Sequence, residues 1–188
     1  MSETDLIDRA RSGDQDAFAE LVAAHAGQVY GALRRFGLNP DEADEVAQEV
    51  FVRAWRGLGR FQGRAKLSTW LYRITFNEAQ RALSRRRPVG GDTAADDEDP
   101  VAAVAADEHH GPHAQALDRE FSEVLDRALA QLPREWRVAV VLRDLEGLST
   151  SEAAEIAGVR QAAFKSRLHR GRIQLRELLA PYLDQSAS

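Results

Sequence analysis

Apolar residues recur along this chain at three- and four-residue steps, the period of one buried face of an α-helix. After a short segment with Leu6, Ile7 and Ala10, Gly13 reads as a helix stop and Asp14 as the cap of the next helix. Phe18, Leu21, Val22, His25, Val29, Leu33 and Phe36 make its apolar stripe. His25, lying on that stripe, reads as a packed or rim histidine rather than a ligand. Gly37, Asn39 and Pro40 interrupt the pattern, and Asp41 is placed to cap a further helix. Its buried stripe is Ala43, Val46, Ala47, Val50, Phe51, Ala54 and Leu58. Gly57, Gly59 and Gly63 loosen a loop that holds Phe61. A third amphipathic helix, starting near Ser68 or Thr69, carries Trp70, Leu71, Ile74 and Leu83 and reaches Arg85–Arg87, where Pro88, Gly90 and Gly91 end it.

Periodicity resumes with Leu117, Phe121, Val124, Leu125, Ala128 and Leu132. Pro133 opens another helix at its first turn, with Trp136, Val140, Val141 and Leu145, ending at Glu146-Gly147. Ser149-Thr150-Ser151-Glu152 fits a capping box for a short helix; Gly158-Val159 stops it, and a last helix buries Phe164 and Leu168. No stretch alternates as a strand does. The expected fold is all-α, with two small helical domains, residues 1–88 and 116–188, joined by a flexible acidic linker over 89–115.

Charge sharpens that division. The net charge is −5, yet residues 89–118 hold eight acids and no Lys or Arg, so the remainder carries +3. That stretch, rich in Asp, Ala, Gly and Pro, has little to build a core from. His109, His110 and His113 lie inside it, but their spacing fixes no fourth ligand, and adventitious metal affinity is the better reading. With 188 residues and 44% hydrophobic content there is enough to pack two small cores. No window approaches the roughly 18 apolar residues of a membrane span, and the polar N-terminus has no apolar signal region, which predicts a cytoplasmic protein without membrane insertion. The absence of cysteine excludes disulfides, thiolate zinc sites and thiol switches.

Two constellations carry chemistry. From Arg60 to Arg87 there are eight Lys or Arg against one acid, Glu78, interleaved with Phe61, Trp70, Tyr72 and Phe76. Cations match phosphates and aromatic faces match unstacked bases. Trp70 reads first as core. Asn77 and Arg81, four apart on one helical face, are residue types that pair with base edges. The preceding helix projects Asp44, Glu45, Gln48 and Glu49, a solvated face or a protein-docking one. In the second constellation, small Ala154, Gly158 four residues on and an apolar residue six further match a helix-turn-helix. Its second helix carries Arg160, Lys165, Arg167, Arg170, Arg172 and Arg176 with no acid before Glu177, which makes it a candidate recognition helix for a DNA major groove. A surface helical hairpin would give the same alanines and glycine but seldom this one-sided charge.

With these residues in hand, the chain resembles the sigma-70 family of bacterial RNA polymerase initiation factors, specifically the extracytoplasmic-function (ECF) group. Asp41-Glu-Ala-Asp-Glu-Val-Ala-Gln-Glu-Val-Phe, Ala54-Trp55, Phe61-Gln-Gly63 and Thr69-Trp-Leu-Tyr-Arg-Ile-Thr-Phe-Asn77 look like the second conserved region. Leu132-Pro133 through Leu148-Ser149, then Lys165-Ser-Arg-Leu-His-Arg170, look like the fourth. The resemblance implies that Asp44, Gln48 and Glu49 dock on the clamp helices of core RNA polymerase. It implies that Phe61, Lys66, Asn77, Arg81 and Arg85 meet the melted −10 strand of promoter DNA. Arg160, Lys165, Ser166, His169 and Arg170 would face the −35 element, with Arg167 and Arg172 nearer its phosphates. An anti-sigma factor is the implied regulatory partner; no cofactor and no catalytic activity are implied. One departure is Ala162-Ala163-Phe164 where the family usually shows Gly-Thr-Val, which removes a hydroxyl from the −35 side.

Two other readings compete. An ordinary helix-turn-helix regulator leaves the acidic helix and the aromatic-basic helix unexplained, and a response regulator needs strands that the N-terminal half lacks. An enzyme would need a Gly-rich phosphate loop, a nucleophile or metal-ligand spacing, and none is present.

Overall fold

The computed structural model describes residues 2–86 and 118–186, and their regular structure is helical throughout. The stretch 89–115, with its three histidines, lies outside the described residues, as does Arg87. The chain divides into two compact units, Met1–Gly90 and Gly91–Ser188.

In the first unit α1 spans Glu3–Arg11, α2 Gln15–Arg35, α3 Pro40–Leu58 and α4 Leu67–Arg85. Asp14 caps α2 as expected, accepting from the Ala17 N–H at 3.0 Å while pairing with Arg9 of α1 at 2.7 Å. His25 is a rim histidine: its Nε2 lies 2.9 Å from Glu3 Oε1 and ties α2 to α1. The cap of α3 is Asn39, not Asp41. Asn39 accepts from the Glu42 N–H and Glu42 returns a bond from the Asn39 N–H, a complete capping box. Pro40 sits at the first helical position, where its missing donor costs nothing, so the residue read as a breaker starts the helix.

Gly57 was expected in a loop but belongs to α3, and a Cβ there would lie 3.1 Å from the Trp70 ring. Its lack of a side chain lets α3 and α4 close over that indole. Trp70 is half-buried against the core of Ala17, Leu21, Ala54, Leu58, Leu67 and Leu71, as its core reading required. Helix α4 begins at Leu67, ahead of Ser68 and Thr69, because Leu67 is itself a core residue and its burial recruits the first turn.

In the second unit α5 spans Asp118–Gln131 and α6 Arg134–Val140, followed by a π-helical turn over Val141–Leu145; α7 spans Thr150–Ala157 and α8 Gln161–Ser186. The predicted stops hold at Pro133 and at Glu146-Gly147. The π turn was not expected: Glu146 N–H reaches back five residues to Val141 O, while Val141 and Leu142 stay fully buried. Arg137 closes the end of α5, donating to Ala130 O at 2.8 Å and Leu132 O at 3.2 Å. Burial, with Arg134 nearby, makes its guanidinium less basic than usual.

Candidate nucleic-acid interface

On α3, Asp44, Glu45 and Gln48 are exposed along one stripe, and Val52, four residues past Gln48, extends it as an exposed apolar side chain (48% exposed). Glu49 is half-buried and turns toward α4, where it pairs with Arg85 at 3.6 Å. One residue read as a docking group and one read as a strand-binding group thus meet at a seam between α3 and α4. Two more links close it: Glu42 pairs with Arg86, and the buried Glu78 pairs with both Arg53 and Arg81. Those pairs run 42 with 86, 49 with 85 and 53 with 78, so α3 and α4 are antiparallel.

The outer face of α4 carries Arg73, Asn77, Arg81 and Arg85 at four-residue steps, all exposed. Arg73 was missed by the sequence reading, although the same spacing extended back from Asn77 would have found it. Before the helix, residues 62–66 are exposed, with Arg64 and Lys66 among them. Lys66 occupies the cap position without any side-chain capping bond, and the first turn of α4 has no acid. Free first-turn N–H groups and the positive helix end therefore reinforce the cations there. Phe61 differs from expectation. It is only 8% exposed, packs in the core and lies 5.3 Å from the Trp70 ring. It anchors the loop instead of offering a face to a base, because a large apolar ring at a loop root gains more from burial than from solvent.

In the second unit the helix-turn-helix is complete. Ser149 and Glu152 form the capping box of α7, Ala154 is buried, and Gly158 takes the left-handed conformation (φ 70°) that makes the turn. Phe164 and Leu168 hold α8 in the core. Lys165, His169, Arg172 and Arg176 then form an exposed stripe, with Arg160 exposed in the turn and Ser166 and Arg170 half-buried beside it. Arg167 is also half-buried, 3.4 Å from Glu135 of α6. Arg172 makes a two-pronged bond to Asp144 at 2.6 and 2.9 Å, which raises its basicity further. Both arginines, expected at DNA phosphates, thus pair with acids of the protein itself, Glu135 of α6 and Asp144 of the π turn after it. Gly171 was missed altogether: a Cβ there would lie 2.8 Å from Val140 and 3.1 Å from the Trp136 carbonyl, so only glycine allows this α6–α8 crossing.

Comparison with known proteins bears on this arrangement. Residues 21–89 match the family described as Sigma-70 region 2, and residues 122–175 match Sigma-70, region 4. The RNA polymerase sigma-H factor of Pseudomonas aeruginosa is 34% identical over 184 residues, covering 96% of this chain and 95% of its own length. The ECF RNA polymerase sigma-E factor of Escherichia coli K12 is 34% identical over 181 residues, with 95% and 94% covered. The chain belongs to the ECF group of the sigma-70 family.

Among solved structures, CnrH in complex with the cytosolic domain of CnrY is 27% identical, with TM-score 0.63 over 94% of this chain and 96% of that one. RpoE of Bartonella quintana, solved with the anti-sigma factor NepR, shares the fold at 23% identity and TM-score 0.65, with 87% and 96% covered. As an ECF sigma factor, the protein recognises promoters and initiates transcription with RNA polymerase. Among its described residues no helix is long and apolar enough to cross a membrane.

Proposed function

We propose that the two faces meeting at the α3–α4 seam divide the work of this sigma factor. The exposed stripe of Asp44, Gln48 and Val52, with Glu49 at its edge, docks on core polymerase. The loop over residues 62–66 and the α4 face of Asn77, Arg81 and Arg85, extended by Arg73, receive the opened −10 strand. In the second unit Lys165, Ser166, His169 and Arg170, with Arg160 in the turn, read the −35 duplex. The observation that carries this division is that an exposed acidic-to-apolar stripe and a cationic face lie on adjacent antiparallel helices, joined by Glu42–Arg86, Glu49–Arg85 and Arg53–Glu78. Linker boundaries at 89–115 follow from charge and composition. On this reading the protein is cytoplasmic and leaves catalysis to the polymerase. An anti-sigma partner is supported by the relatives solved as complexes, one of them with a protein named as an anti-sigma factor.

Run-off transcription with bacterial core polymerase on a promoter library tests the reading. Added chain should make core promoter-specific, and core left nonspecific would sink it. Alanine at Asp44, Gln48 and Glu49 together should abolish core binding while leaving the −35 affinity of the chain intact. Loss of both at once would contradict the division.

A further inference from the structure

Glu78 is the one acid among the eight cations of residues 60–87, and it is 1% exposed. Its Oε1 accepts from Arg81 Nη1 at 2.5 Å and lies 2.8 Å from Arg53 Nε, while its Oε2 is buried without a hydrogen-bond partner. A buried carboxylate is costly, and a well-packed apolar residue of similar size commonly stabilises a fold at least as well. Helix packing alone therefore does not call for an acid at this point of the seam. What the acid accomplishes is visible in its partners. One guanidinium comes from α3 and one from α4, each held through one nitrogen to the same oxygen, with their side chains 51% and 55% exposed. Arginine is long and flexible, and a guanidinium held through one nitrogen has less freedom to lose when its other nitrogens meet a phosphate.

We infer that Glu78 is a positioning residue for the strand-binding face, holding Arg53 and Arg81 as a pair of guanidinium groups for DNA phosphates. The inference rests on the assignment of α4 to the opened strand, and it adds Arg53, from the polymerase-docking helix, to that surface. The effect of losing Glu78 is then opposite in sign to simple charge counting. Removing an acid from a DNA-binding face normally strengthens binding. Removing this one weakens it, because both arginines lose their common anchor.

The test uses holoenzyme assembled from the full chain and bacterial core polymerase, with a fluorescein-labelled pool of random single-stranded 20-mers read by anisotropy across a salt series. Core polymerase alone supplies the baseline. E78Q holoenzyme should bind the pool about 5- to 20-fold more weakly than wild type, with its salt slope reduced by about one to two. Adding E78Q to R53A should weaken binding less than E78Q does alone. Equal or tighter binding by folded E78Q overturns the role of Glu78. Should E78Q fail to fold, R53A decides, since Arg53 is a surface side chain: about a fivefold loss supports the pair, and unchanged affinity removes it. A wild-type holoenzyme no better than core alone fails differently, since it removes α4 from the strand-binding surface before Glu78 is in question.

Discussion

Lys165 and Arg172 share one exposed stripe of α8 and differ in what they touch. Arg172 is held by both oxygens of Asp144, whereas Lys165 and His169 stand on the outer face with no ion pair among the described residues. Alanine at Lys165 or His169 should therefore weaken −35 duplex binding by about 1–3 kcal/mol if each reaches a base. Alanine at Arg172 should cost less than about 1 kcal/mol in either affinity or stability, as half-exposed pairs do. A gel-shift titration of the three variants ranks them, and an Arg172 loss equal to that of Lys165 would place Arg172 on the DNA. At the other end of the chain, Asp14 has its carboxylate pKa held below the ordinary 3.8 by the Ala17 N–H and then by Arg9. A depressed carboxylate stabilises the fold above its unfolded value and loses that contribution as pH falls through its folded one. The melting temperature of D14N should thus approach that of wild type below about pH 3.8 and lag behind it at neutral pH.

At the scale of helices, the apolar period announced nearly every element, because each buries one continuous stripe. The misses have local causes. Asn39 displaced Asp41 as a cap because Pro40 is pre-organised for the first turn, a fact that reads as a break when proline is scored as punctuation. The π turn after α6 has no mark in a pattern of apolar residues, since Val141 and Leu142 are buried in either geometry. Phe61 looked available because the loop around it is polar, and only the fold brings Trp70 to cover it. The site residues were legible as spacing and charge. Their internal partners were not, because Glu49 with Arg85 and Arg172 with Asp144 join positions 36 and 28 residues apart. Gly171 shows the same limit: a glycine within a helix carries no visible reason until the opposing helix is in place. Ala at Gly171 should destabilise the second unit by about 1–3 kcal/mol through overpacking against Val140 and Trp136. Urea unfolding followed by Trp136 fluorescence, with Trp55 and Trp70 replaced by Phe in both proteins, measures it; an unchanged midpoint would mean that α6 yields freely.

For the molecule as a whole, charge is partitioned by position. Eight acids between residues 89 and 118 convert a +3 remainder into a −5 chain. Neutralising them to Asn or Gln should raise the affinity of the free chain for nonspecific duplex and make it more salt-dependent. Fluorescence anisotropy with a random duplex at two salt concentrations tests this, and unchanged affinity would mean that net charge is irrelevant to how the free protein meets DNA.

The missing side chain at Gly171 has a consequence for how promoter preference can be altered. Successive residues of an α-helix advance by about 100°, so His169 and Lys165 stand roughly 160° and 120° away from the direction in which Gly171 faces α6. Contact at that point, together with the burial of Phe164 and Leu168, sets the rotational phase of the whole exposed stripe. Exchanging side chains at positions 165 and 169 leaves the phase untouched, while a one-residue insertion between them and Gly171 would put Phe164 and Leu168 about 100° out of register with the α6 contact and disturb the helix that carries both. Recognition can therefore be rewritten letter by letter on a frame that does not rotate.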